Sequence, residues 1–447
     1  MKLFDTILSR FSGNKRKLIA NVIWAMSGKV VNMFGQLFVG ILVARYLGPE
    51  QYGLMNYVIS YVALFTIIAT FGLSNIEVRE LSKSPEHRDE IIGTAFRLRL
   101  FFATIGYLLV VSTTLLSKAD SFTTTMILLY ALSLYSGCFE VIRNYFTSIV
   151  KNEYVVKSEM MRTVIGASIK LLLLWLKAPL EFFIIATLFD TVLVASGYCV
   201  SYKTQVGKIS DWKYNATMAP YLAKQAFPLV LSGAAVIIYQ RIDQVMIGNM
   251  IDKESVGYFS TAGRFLELIL FLPHVLTQTI TPLLVKSYNK DDGGKEYAIK
   301  SQQFVSLVVW VAIIISSIVS MSSYWLIKYT FGEKYMASVP VLSIIAFKTV
   351  GMALSSSGGQ LIIIEKIQKW AVIKNLIGCA ACVGLNYLFI PKYGIIGSAW
   401  VTIITLSISG CLGNVFIPPY HHILKIELKA IFLGWRELFY IRKIMSK

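Results

Sequence analysis

Away from the ends of the long apolar runs stand ten ionisable residues: the bases Lys29, Arg143, Lys170, Arg241, Arg264 and Lys348, and the acids Glu140, Asp190, Asp243 and Glu267. A charge at mid-bilayer costs roughly 2.5–3.5 kcal/mol even on the lenient insertion scale. Each therefore needs a partner or a water-filled path. Glu140 and Arg143 share an i,i+3 spacing, as do Arg264 and Glu267, and either pair can neutralise itself on one helix. Lys170 and Asp190 fall at similar depth on either side of the turn at 177–181, where a buried pair and a transport role both remain open. Arg241 and Asp243 are two apart and point to different sides of one helix. Lys29 and Lys348 have no acid within helical reach. Lys29 continues through Asn32 and Gln36 as a polar stripe, and Lys348 through Met352, Ser355 and Gly359. Such stripes face protein or water rather than lipid, so Lys29, Asn32, Gln36, Lys348, Arg264 and Arg241 are expected to line a central path. Asp243, with Glu267 and Asp190 behind it, is the expected carrier of a proton or sodium ion.

The elements that must hold these residues follow from composition. Hydrophobic residues make up 55% of the 447-residue chain, charged ones 15%, and the mean hydropathy is +0.62, which excludes an ordinary soluble protein. The net charge of +18 would in a soluble protein point to nucleic acid. Its placement argues otherwise. Twelve stretches approach the about 20 apolar residues that a spanning helix needs: 20–44, 53–75, 95–117, 123–149, 161–177, 181–202, 225–249, 258–285, 304–327, 340–364, 373–390 and 395–417. With the N-terminus inside, inside segments hold 30 Lys and Arg against seven outside, so both termini are expected in the cytoplasm. No nucleic-acid partner is implied.

The expected organisation is a basic lead-in over 1–19, a six-helix bundle over 20–202, a cytoplasmic connection over 203–225, a second six-helix bundle over 226–418 and a basic amphipathic tail over 419–447. An ungapped offset of 204 lays Gln36 on Gln240, Glu50 on Glu254 and Gly53 on Gly257. Six spans per half keep the halves in one orientation, related by a pseudo-two-fold along the membrane normal and enclosing a path. The fold class is thus all-α integral membrane. The tail reads as an interfacial helix drawn to anionic lipid.

Catalytic signals are missing. There is no P-loop, no GxSxG and no paired-carboxylate loop, and the outside loops are short, which disfavours a membrane glycosyltransferase or ligase. Cys379-Ala-Ala-Cys382 lies in an apolar span with no second ligand pair, so it reads as packing rather than a metal or redox site. No catalytic residue, metal site or cofactor is expected.

The run Ala44-Arg45-Tyr46-Leu47-Gly48-Pro49-Glu50-Gln51-Tyr52-Gly53, with Arg79-Glu80-Leu81 after the second span, resembles the signature of polysaccharide-biosynthesis exporters. These are the Wzx-type oligosaccharide-repeat (O-antigen or capsule) flippases of the MOP superfamily, which also holds MATE drug exporters and lipid II flippases. The resemblance implies two six-helix bundles around a cationic cavity and alternating access. It also implies an undecaprenyl-diphosphate-linked oligosaccharide as cargo, membrane lipids and the polysaccharide polymerase and export machinery as partners, and residence in a bacterial inner membrane. Fixed lysines suit a diphosphate that loses its hydration, because a point charge binds without a rigid clamp. A MATE-like exporter of small organic cations is the alternative on the same fold; six bases against four acids in the spans argue against it.

Overall fold

A backbone inside a bilayer must satisfy its own N–H and C=O groups, so apolar runs of this length fold as helices. The computed structural model describes the backbone of residues 13–117, 119–289 and 294–438, and the side chains of 33–117, 119–289 and 294–437. The described residues contain no strand, and nine of their helices are long and apolar enough to cross a membrane. This is a multi-pass membrane protein.

In chain order the helices are α1 (Gly13–Ala63), α2 (Thr66–Thr70), α3 (Leu73–Lys83), α4 (Arg88–Leu116), α5 (Ser121–Ala131), α6 (Ser133–Ser136), α7 (Glu140–Ser148), α8 (Asn152–Trp175) and α9 (Leu180–Gln205). They continue as α10 (Met218–Met250), α11 (Lys253–Tyr288), α12 (Lys295–Thr330), α13 (Ser338–Ile345), α14 (Lys348–Ile364), α15 (Ala371–Gly410), α16 (His421–Leu433) and α17 (Trp435–Leu438). Two long helices are each two limbs joined at a bend. Gly48 (φ 75°) divides α1, and Gly394 (φ 58°) divides α15. Both angles lie in the left-handed region that a Cβ disfavours. With each limb counted, and α8 long enough at 24 residues, every predicted span falls on helical chain, though 53–75, 123–149 and 340–364 are each divided among shorter helices.

The chain forms two compact units, one of residues up to Tyr46 with Val58–Ala234, the other of Leu47–Tyr57 with Ala235–Lys447. Residues 47–57 thus belong with the second unit, although they precede most of the first. Small residues cause this. A Cβ on Gly53 would fall 1.7 Å from the Lys253 carbonyl oxygen, and one on Gly257 would fall 2.0 Å from that of Pro49. Only two glycines allow the backbones to come this close, and they are the pair that the 204-residue offset makes equivalent.

The core of the first unit joins Leu73 and Ile76 of α3, Ile92 of α4, Phe146 of α7 and Tyr202 of α9. Beside it the predicted 123–149 span is broken: α5, α6, a 3-10 turn over Gly137–Phe139 and α7 follow one another. The core of the second unit joins Phe304 and Val308 of α12, Leu361 of α14, and Ile423 and Ala430 of α16. Ile423 and Ala430 of the tail helix thus pack against protein. Trp310 Nε1 donates to the Ala430 carbonyl at 2.9 Å, and Gln302 Nε2 to that of Ile426 at 3.2 Å. Phe432 and Trp435 stay exposed, and residues 439–447 lie outside the described residues.

Candidate functional site

Asp243 lies on α10 and is 2% exposed. The bend at Gly394 folds the two limbs of α15 so that both reach it. From the first limb Asn386 Nδ2 donates to Asp243 Oδ1 at 2.8 Å and Cys382 Sγ to the same oxygen at 3.5 Å. From the second, Thr402 Oγ1 donates to Oδ2 at 2.9 Å. Cys382 and Asn386 are i,i+4 on one limb, and Ser398, Thr402 and Thr405 lie at i, i+4 and i+7 on the other, so each set shares a face. An amide, a thiol and a hydroxyl thus bond the carboxylate, and all of them are neutral groups. Among the described residues, Asn386 Oδ1, Ser398 Oγ and Thr405 Oγ1 are buried without a hydrogen-bond partner. A buried carboxylate whose partner helix faces also carry unsatisfied oxygens has the donor chemistry for a proton or a hard monovalent cation. Cys382 is thus more than packing: it bonds the acid. Among the described residues no group of three His, Cys, Asp or Glu side chains could hold a metal ion.

The other predicted residues divide between the units. Arg241 is exposed where Asp243 is buried, so the two do point to different sides of α10. Lys348 opens α14 and feels the charges of both Asp243 and Arg241. Lys348, Met352, Ser355 and Gly359 are half-buried, and Gly351, Leu354 and Gly358 are buried. Arg264 donates from Nε to Tyr52 Oη at 3.0 Å rather than to its i+3 neighbour Glu267, which is exposed. All of these belong to the second unit. In the first unit Gln36 borders a cavity of about 790 Å³. Lys170 Nζ and Asp190 Oδ2 form an ion pair between α8 and α9. The side chains of Lys29 and Asn32 lie outside the described residues. Glu140 and Arg143 do not pair with each other; Arg99 takes Glu140 at 3.5 Å and Glu159 takes Arg143 at 4.0 Å.

Two buried polar clusters had no place in the sequence reading. Arg99 bonds Glu77 through Nε at 2.7 Å and Nη2 at 3.1 Å, while Asn144 Nδ2 donates to Glu77 Oε2 at 2.6 Å. In the second unit Lys374 Nζ reaches Asn414 Oδ1 at 3.4 Å, and Asn414 Nδ2 donates to Glu427 Oε2 at 2.8 Å. Burial pushes the Glu427 carboxyl up to about 7 despite the charge of Lys374. A signal existed for each. Arg99 is flanked at i±4 by Ala95 and Ala103, and Glu427 at i−4 and i+3 by Ile423 and Ala430, all on buried faces.

Residues 18–288 match the profile of the polysaccharide biosynthesis protein family. The capsular polysaccharide biosynthesis protein CapF of Staphylococcus aureus is 21% identical over 408 residues, covering 88% of this chain and 96% of that one. The teichuronic acid biosynthesis protein TuaB of Bacillus subtilis (strain 168) is 23% identical over 46% of this chain, a match that spans only 41% of its own length. Among solved structures, the lipid II flippase MurJ in an inward closed conformation superposes with a TM-score of 0.67 at 16% identity, covering 96% of each chain. The chain belongs to the polysaccharide biosynthesis protein family and has the fold of the MOP exporter superfamily.

Proposed function

We propose that this protein is a flippase for polyprenyl-diphosphate-linked oligosaccharide repeat units in surface polysaccharide biosynthesis, coupled to a proton or sodium ion at Asp243. The observation that carries the coupling is the buried Asp243 carboxylate, bonded by Asn386, Thr402 and Cys382 and held near the charge of Lys348. Family membership and the likeness to CapF and MurJ support the cargo. On this reading the protein moves its substrate and makes or breaks no covalent bond. A bacterial inner membrane, cytoplasmic termini and alternating access between the bundles belong to the same proposal. So do Lys29, Asn32, Gln36, Arg241, Arg264 and Lys348 as polar wall residues, and the polymerase or export machinery as the receiver of the flipped unit.

The lysine and the acid oppose each other usefully. A cation on Asp243 cancels the field that neutralises Lys348, which frees the lysine for a phosphate. Release of the cation restores the acid's attraction for the lysine, which competes with the anion.

The test is transport in proteoliposomes with a fluorescent polyprenyl-diphosphate oligosaccharide, under imposed proton or sodium gradients. Flux that follows one gradient in the intact protein, and ignores both in Asp243→Asn, is expected. Equal flux under every gradient removes the coupling. Gradient-driven efflux of an organic cation, with no lipid-linked sugar moved, shifts the assignment to a MATE-like exporter.

A further inference from the structure

The geometry points to the cavity of the first unit as a subsite for neutral sugar rings that excludes the diphosphate. At about 790 Å³ it lies within the range of roughly 300–1,000 Å³ typical of small-ligand pockets. Residues of α2, α6, α7, α8 and α9 line it, among them Thr66, Ser133, Thr147 and Asn152. Four charges line it: Glu140, Arg143, Glu159 and Arg162. Their formal sum is zero.

A balanced wall suits a polyol. Sugar hydroxyls both donate and accept, so they can satisfy carboxylates and guanidinium groups together. A diphosphate could use only the arginines and would meet two carboxylates of its own sign. The acids are also held in place. Glu140 lies 3.5 Å from Arg99, which is fixed from behind by Glu77, and Glu159 accepts from Tyr198 Oη at 3.2 Å. The arginines are less constrained. Arg143 touches Glu159 only at 4.0 Å, and Arg162 has no ion-pair partner among the described residues. The wall thus offers fixed acceptors and adjustable donors, which fits rings presented in more than one orientation.

The broken helix supplies a clean probe. Gly137 borders the cavity with φ −61°, an angle any residue adopts, and a Cβ there meets nothing within 4 Å. A side chain at this position starts into open space at the edge of the cavity.

This inference rests on the reading of the protein as a glycan flippase, and the experiment separates the two. The full chain in lipid nanodiscs is titrated with maltotriose, with N,N′,N″-triacetylchitotriose and with inorganic pyrophosphate. Saturation-transfer NMR reads the sugars and calorimetry reads the anion. Saturable binding of at least one trisaccharide is expected, with a loss of about tenfold or more in Gly137→Leu and in Glu159→Gln/Arg162→Gln, while pyrophosphate binding is unchanged. The subsite is overturned if neither trisaccharide binds, if binding survives Gly137→Leu, or if that substitution displaces pyrophosphate. Transport assays on the same proteins part the two readings. A Gly137→Leu variant that flips the sugar-bearing lipid at the intact protein's rate removes the subsite and leaves the flippase standing. Trisaccharide binding without any flipping by the intact protein keeps the subsite and removes the flippase.

Discussion

Glu77 in the first unit and Asp243 in the second are both carboxylates sealed from solvent, at 0% and 2% exposure, and each accepts a hydrogen bond from an asparagine amide. Their remaining partners differ. Glu77 is held by two bonds from Arg99, itself fully buried. Asp243 is bonded by a hydroxyl and a thiol, and the α15 faces that carry those partners also hold unsatisfied oxygens. A carboxylate that owns a permanent cation has no use for a second one. One bonded only by neutral groups keeps a site for an exchangeable charge. Burial alone therefore does not mark a functional acid; the identity of its neighbours does.

The largest effect is expected where the permanent cation is removed. Arg99→Met leaves Glu77 buried and unpaired and should cost about 3–5 kcal/mol, read as a lowered midpoint of thermal unfolding in detergent. Adding Glu77→Gln should restore much of that loss, because no charge is then stranded. A single variant as stable as the parent would show that Glu77 is not ionised and would collapse the contrast with Asp243.

Glu427 tests the middle ground, a buried acid with its lysine near but not in contact. Its folded pKa, raised to about 7 by burial, stabilises the docked α16 most below the ordinary carboxylate value of 4.5; that stability is lost as pH rises through about 7. The span between those values corresponds to about 3 kcal/mol. Amide exchange over α16, corrected for intrinsic rate, should therefore quicken from pH 5 to pH 8 in the intact protein and stay level in Glu427→Gln. The same rise in both proteins would mean that some other group titrates.

Asp243→Asn should act on transport and not on the fold. Removing a buried charge that only neutral groups bond leaves packing intact, so the unfolding midpoint should hold or rise. The response of flux to the ion gradient should fall roughly 100-fold, the upper range of coupling between two sites. Loss of the folded protein instead would make Asp243 a structural acid like Glu77.

These contrasts also mark what the sequence could convey. The all-helical, multi-span fold and the separation of Arg241 from Asp243 follow from apolar run length and helical periodicity, which are local. Arg99, Glu77, Lys374 and Glu427 fall outside or at the ends of the expected spans, where a charge is expected to be solvated, yet they are 0, 0, 5 and 0% exposed. Loop counting assumes that a charge near the end of a span reaches water, and α4 and α16 break that assumption by packing their charged faces inward. The partners of Asp243 lie 139 to 159 positions away and meet it only because α15 doubles back at Gly394. Periodicity within one helix carries no information about that fold-back.

The Lys170–Asp190 pair decides how far the rule extends. Asp190 has its own cation, like Glu77, but the two side chains are 19% and 18% exposed, so the pair is not sealed as Glu77 and Arg99 are. The cost of Lys170→Met should then drop to about 2 kcal/mol, below the range for a sealed pair. Lys170→Met/Asp190→Leu should recover most of it, and both proteins should keep their response to the ion gradient. If Lys170→Met instead unfolds normally but transports without regard to the gradient, Asp190 belongs with Asp243 as an exchangeable site. A permanent cation within reach would then be no bar to coupling, and Glu77 would be excluded by its burial rather than by Arg99.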